Sequence, residues 1–259
     1  MVDWLMSASK IACRVQSYDP FTAVAYAHLA GLGIRHVEIG VPKPAELTAT
    51  RVALERHGLV ASSLHGECDV HRADVAKQIS AQMESFAALG ARIMFVSAKA
   101  DDLPLPTVYG RLREVGEAAA RQGVTIVLET HPDLVTNADV ALATMQGVDH
   151  PNVRINYDTA NIYFYNAGVD GVAELRRMAP YVAAVHLKDT DGGYRSWHFP
   201  ALGRGVVRFR EVFDVLDGAG FAGPCTLEIE GIEGEQRTER MVCDRIAESV
   251  GYLRGLGRL

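Results

Sequence analysis

Side chains able to bind a metal ion or move a proton recur at the ends of short apolar runs. Glu38 lies near the end of "HVEIG", His65 closes "LVASSLH", Glu129 closes "VTIVLE" and Asp158 closes "VRINYD". His186 falls near the end of "VAAVHL", and Glu228 and Glu230 fall in "CTLEIE". An ionised carboxylate inside a protein is costly unless it is paired or bound to a cation. Two Glu, one Asp and one His converging in one place make a hard, mostly oxygen donor set with one imidazole. That set suits a single divalent ion, Mn2+ before Mg2+, Co2+ or Zn2+. In "YVAAVHLKDTDGG", residues 181–193, His186 reads as a metal ligand whose second ring nitrogen is held by an acceptor. Lys188, two residues on, shares its side of the strand, whereas Asp189 faces away, where a structural role suits it equally. Glu228 and Glu230 share one strand face, so alternation does not separate them.

Something must bring these strand ends together. The strand-like runs are "KIACRV", "HVEIG", "LVASSLH", "RIMFVSA", "VTIVLE", "VRINYD", "VAAVHL" and "CTLEIE". Between them lie stretches such as "RADVAKQISAQMESFAALG" and "RFREVFDVLDGAG", with apolar residues at three- and four-residue spacing, as one buried helix face requires. Gly58, Gly90, Gly123 and Gly220 stand where left-handed caps would end helices. Eight strand–helix units imply a parallel sheet covered on both faces and, at this length, a closed (β/α)8 TIM barrel spanning residues 1–259 as one domain. No glycine fingerprint follows the first strand, which argues against a doubly wound sheet. Barrel enzymes build their sites at the C-terminal ends of the strands, where the chemistry-bearing residues fall here.

Composition narrows the classes of function. The chain has 259 residues, a formal net charge of -6 and a pI near 5.8. No basic stripe is visible, so nucleic acid is not an expected partner. No run of about 18 apolar residues marks a membrane span, and the first residues lack a signal-peptide pattern. Four scattered cysteines without CxxC spacing give neither a zinc finger nor a disulfide framework, and a cytoplasmic setting is the expectation. "LGRGVV" reads as a phosphate-cradling loop or, equally, as a tight turn before a helix. "NIYFYN" reads as packing more than as a sugar platform, and the 188–206 loop, with Trp197 and His198, as a cover over a site.

"LETHPDLVTN", "INYDTAN", "VHLKDTDGG", "LGRGVVRF" and "GPCTLEIEG" together resemble the xylose isomerase-like barrel superfamily over nearly the whole chain. That superfamily includes sugar-phosphate isomerases and epimerases, ketose 3-epimerases, inosose dehydratase, hydroxypyruvate isomerase and endonuclease IV-type enzymes. The resemblance implies one divalent metal on Glu129, Asp158, His186 and Glu228, with Glu228 preferred to Glu230 because it follows "GPCTL". It implies a small carbohydrate substrate and proton abstraction next to a carbonyl through a metal-bound enediolate. Glu129 and Glu228 would be base and acid, with His131 and Lys188 as further catalytic groups and Glu38, His65, Asn161 and His198 as substrate contacts. Endonuclease-type members carry a histidine where Asn161 stands, so a three-zinc cluster is not expected. The nearest arginine after His186 is Arg195, which moves the chain away from simple ketose 3-epimerases and toward the sugar-phosphate isomerase and inosose dehydratase branches. Isomerase or epimerase action is the expectation. A lyase, dehydratase or ketosugar β-eliminase using the same enolate is the alternative, and an abasic-site endonuclease is the more distant one. A homo-oligomer is compatible with the sequence.

Overall fold

The computed structural model describes residues 10–259, so the reading of the first residues as leaderless lies outside what it describes. Strands β1 (Lys10–Arg14), β2 (His36–Gly40), β3 (Val60–His65), β4 (Ile93–Val96), β5 (Thr125–Glu129), β6 (Val153–Asp158) and β7 (Val182–Leu187) run in sequence. The last barrel strand, β9 (Pro224–Leu227), lies between β7 and β1 and closes a parallel barrel. A two-residue strand, β8 (His198–Phe199), pairs antiparallel with β10 (Gly231–Ile232) beside the mouth. Glu228 and Glu230 therefore lie just past the last barrel strand rather than inside it.

The helices are amphipathic in the expected way. In α8 (Phe209–Gly218) the buried residues are Phe209, Val212, Phe213 and Leu216, and in α3 (Val75–Leu89) Val75, Ile79, Met83 and Phe86 face inward. Gly90 closes α3 in the left-handed conformation at φ 71°, which costs a residue without Cβ nothing. The large apolar core fills the space between strands and helices. Inside the barrel a small plug of Phe95, Val127 and Ala184 forms the floor on which the polar strand ends rest. Parallel register places Arg14 beside Glu38, His65 beside Phe95 and Asp158 beside His186. Among the described residues, no helix is long and apolar enough to cross a membrane.

Candidate active site

Alternation along the strands turns Glu129, Asp158 and His186 into the barrel mouth. Glu228 joins them from the residue after β9. One ligand atom from each of these four buried side chains lies within 4.8 Å of the other three. Glu230 is outside this group: it is 34% exposed, and its Oε2 accepts from Lys188 Nζ at 2.7 Å. The structure thus distinguishes two glutamates that the strand pattern leaves equivalent.

The partners of each ligand residue fix its orientation. His186 Nε2 lies 3.2 Å from Glu38 Oε1, and a carboxylate there requires Nε2 to be the protonated nitrogen. The Nδ1 lone pair is thereby aimed at the cluster, 3.4 Å from Glu129 Oε1 and 3.2 Å from Glu228 Oε2. Asp158 divides its work. Its Oδ1 accepts the backbone N–H groups of Ala160 at 2.8 Å and Asn161 at 2.9 Å, capping the start of α6 (Asn161–Tyr165). Its Oδ2 turns the other way, toward the cluster. Glu129 Oε2 accepts from Ser97 Oγ at 2.7 Å and lies 2.5 Å from His131 Nδ1. Glu228 Oε1 accepts from Arg14 Nη1 at 2.5 Å. Asp158 Oδ2, His186 Nδ1 and Glu228 Oε2 are buried and converge without a well-formed hydrogen bond, the two carboxylate oxygens instead facing the Lys188 ammonium at 3.1 and 3.0 Å. Carboxylate oxygens gathered at one buried point suit a cation.

Charge agrees with geometry. Glu38, Glu129, Asp158 and Glu228 are nearly or fully buried carboxylates, opposed by Lys188 and the mostly buried Arg14. With neutral His186 the buried groups alone carry an excess of two negative charges, the size of one divalent cation's charge; the partly exposed Glu230, 2.7 Å from Lys188, adds a further one. The electrostatics of the cluster point the same way. Burial disfavours a charged imidazole, but Glu38 and Glu228 outweigh it and raise His186 well above its ordinary range. Burial pushes the Asp158 carboxyl up to about 6 against the pull of Lys188. Burial opposes ionisation of Glu129 and Glu228 as well, yet His131 and His186 hold Glu129 low, and Lys188 and His186 hold Glu228 low.

Above the cluster lies a cavity of about 140 Å³. Its wall includes His131, Asn161, Lys188 and Glu230 and the aromatic residues Phe164, Tyr165, Trp197 and Phe199. Lys188 is 2% exposed, with Nζ 3.1 Å from Asp158 Oδ2 and 3.0 Å from Glu228 Oε2. Other expectations meet a different placement. Glu38, expected to touch substrate, is 2% exposed and spent on His186 and on the Ser63 hydroxyl at 2.7 Å, so it props the imidazole instead. His65 lies tilted against Phe95 with its Nδ1 3.4 Å from Arg14 Nη2; it lines the cleft beside the metal-side cavity, with Arg14, Trp197 and Glu228, and not that cavity itself. His198, also expected to touch substrate, lies between Trp197 and Phe199 on β8; those two line the cavity and His198 does not, because neighbours on a strand point to opposite faces. Phe164 and Tyr165 of "NIYFYN" face the cavity, although packing more than a sugar platform was expected of this stretch.

Arg14, which pairs with Glu228 and lines the cavity, is the site residue the sequence reading missed. A charged residue closing an apolar first strand was the available signal. The phosphate-cradle reading of "LGRGVV" meets a direct obstacle. Asp189, fully buried, accepts the backbone N–H groups of Gly203 and Gly205 at 2.9 Å each and of Val207 at 3.1 Å. A Cβ on Gly205 would stand 2.1 Å from the Thr190 carbonyl oxygen. The glycines let the loop close on Asp189, and those amides are not free for a phosphate.

Fold and site together define a (β/α)8 barrel whose mouth holds a buried carboxylate–imidazole cluster that could hold a metal. The chain belongs to the xylose isomerase-like TIM barrel family, which matches residues 26–249. It is 31% identical over 121 residues to an L-ribulose-5-phosphate 3-epimerase of Escherichia coli, covering 46% of this chain and 40% of that protein. It is 23% identical over 241 residues to an inosose dehydratase of Geobacillus thermodenitrificans, covering 79% and 80% of the two chains. The chain spans under half the length of several curated relatives it matches. The solved D-psicose 3-epimerase with D-tagatose from Clostridium cellulolyticum H10 superposes with a TM-score of 0.76 at 13% identity, covering 95% of this chain and 98% of that one, a likeness of fold.

Proposed function

We propose that the chain is a divalent-metal-dependent epimerase or isomerase of a keto-sugar that works by proton abstraction next to a carbonyl. One observation carries this reading: Glu129, Asp158, His186 and Glu228, all buried, each bring one ligand atom within 4.8 Å of the others. The relatives support the substrate class, since they include a pentulose-phosphate epimerase and a dehydratase of a cyclic ketose. A bound divalent cation, Mn2+ by preference, would polarise the substrate carbonyl and its neighbouring hydroxyl and acidify the C–H between them.

The chain's own residues supply the rest. Glu129 ends β5 and Glu228 follows β9, with β6 and β7 between them, so the two carboxylates flank the bound sugar. One removes the proton and the other returns it. Both are held ionised by their neighbours, so either can act as the base, and the one that returns the proton must first take one up from solvent. His131, 21% exposed and 2.5 Å from Glu129, connects that carboxylate to solvent and carries the proton out. The Lys188 ammonium, kept charged by Asp158, Glu228 and Glu230, donates to the substrate oxygen as negative charge develops. Asn161 and the aromatic wall orient the ring.

Dehydration is the second reading. It is favoured by the Lys188–Glu230 pair at 2.7 Å in the same cavity, a proton donor suited to a departing hydroxyl. The test is incubation of Mn2+-loaded protein with a panel of ketoses and ketose phosphates in deuterated water. Deuterium next to the carbonyl without other change of mass identifies epimerisation or isomerisation, and loss of water identifies the lyase. Both should stop on chelation. Neither exchange nor water loss across the panel, with Mn2+ demonstrably bound, would refute the reading.

A further inference from the structure

The metal-side cavity does not stand alone. A second cavity of about 400 Å³ adjoins it, and the two share Arg14, Trp197, Glu228 and Glu230 as walls. The inner space, about 140 Å³, is small beside the roughly 300–1,000 Å³ of most ligand pockets. The outer one falls within that range. Trp197 is their common aromatic wall. It is 44% exposed, held edge-on against Phe199 at 5.2 Å, and its carbonyl accepts the Glu233 N–H at 2.8 Å.

The outer cavity is further lined by Gln16, Asp19 and Arg237. Gln16 Oε1 and Arg237 Nε are buried without hydrogen-bond partners. Arg237 Nη2 donates to the Ser17 carbonyl at 2.6 Å, and among the described residues no carboxylate forms an ion pair with it. An aromatic face beside planar amide, guanidinium and carboxylate groups recognises a neutral polyhydroxylated ring, with apolar C–H on one side and hydroxyls at the edge. A phosphate fits less well, because Asp19 and Glu230 share the cavity with Arg237 and Asp189 occupies the loop amides nearby.

We propose that this outer cavity is a second sugar-ring subsite, so that the substrate is a keto-sugar carrying a further glycosyl ring across Trp197. The proposal rests on the keto-sugar reading of the inner site and extends it. Calorimetric titration of Mn2+-loaded protein tests it, with D-fructose, the keto-disaccharides turanose, maltulose and isomaltulose, and D-fructose 6-phosphate as probes. At least one disaccharide should bind about tenfold or more tighter than D-fructose. Arg237→Ala and, separately, Gln16→Ala should narrow that difference to under about threefold. The proposal is overturned if no disaccharide binds more tightly than D-fructose, if both variants leave the difference intact, or if the phosphate outbinds every disaccharide. Mn2+ uptake in the same samples separates the two ideas. Normal uptake without disaccharide preference removes only the outer subsite. Absent uptake removes the metal-dependent reading, while a disaccharide preference, reduced in the two variants, still upholds the subsite.

Discussion

Adding Mn2+ to metal-free protein should expel protons, and the number should depend on pH in a way the structure sets. Four largely buried carboxylates face two cations, so the bare site is short of two positive charges. Two groups make up the shortfall by holding protons. His186 is raised well above its ordinary range by Glu38 and Glu228 once their pull overcomes burial. Asp158 is pushed up to about 6 by burial. A ligand must give up its proton to bind a metal, and both shifts are upward, so protons compete with Mn2+ increasingly as pH falls. Near pH 7.5, where Asp158 is already ionised, about one proton should leave, from His186. Near pH 5.5, where Asp158 is mostly protonated, the number should approach about two. Apparent Mn2+ affinity should therefore fall about tenfold per unit near neutrality and approach about a hundredfold per unit at lower pH. Calorimetry at matched pH in buffers of different ionisation enthalpy counts the protons directly. Release of less than about half a proton at pH 7.5, with no rise toward pH 5.5, would refute the charge argument.

Two substitutions test how the neighbours support this centre. Glu38→Leu keeps roughly the size but loses the acceptor that fixes the His186 tautomer; Mn2+ affinity should drop about 10–100-fold, and a change under about twofold would show that Glu38 does not align the imidazole. Asp189→Ala removes the acceptor for the 203–207 loop amides; with three charge-assisted hydrogen bonds lost, each worth about 1.5–3 kcal/mol, stability to urea should fall by about 4 kcal/mol or more, and a loss below about 1 kcal/mol would mean the loop holds without it.

The barrel was legible in the sequence because its signals are local. Continuous apolar strands, helices with one buried stripe and glycines past helix ends each depend on a few neighbouring residues. "HVEIG" and "VAAVHL" correspond to β2 and β7 residue for residue. The positions of Glu129, Asp158 and His186 follow from the same logic, since a strand end in a parallel barrel points at the mouth.

What the sequence left open depends on residues far apart in the chain. Glu228 and Glu230 both reach Lys188 but differ in what else surrounds them: Arg14 and the buried cluster for one, solvent for the other. Arg14 has its place because closure brings β1 beside β9, more than two hundred residues away. Glu38 supports His186 rather than a sugar because β2 and β7 face each other through the barrel interior, 148 residues apart in the chain. The facing of Trp197 and Phe199, and the turning away of His198, follow from a two-residue strand whose partner comes after the last barrel strand. The amides of "LGRGVV" are taken because Asp189 is folded against them. Periodicity decides which way a side chain points, but which charges meet is decided only when the barrel closes.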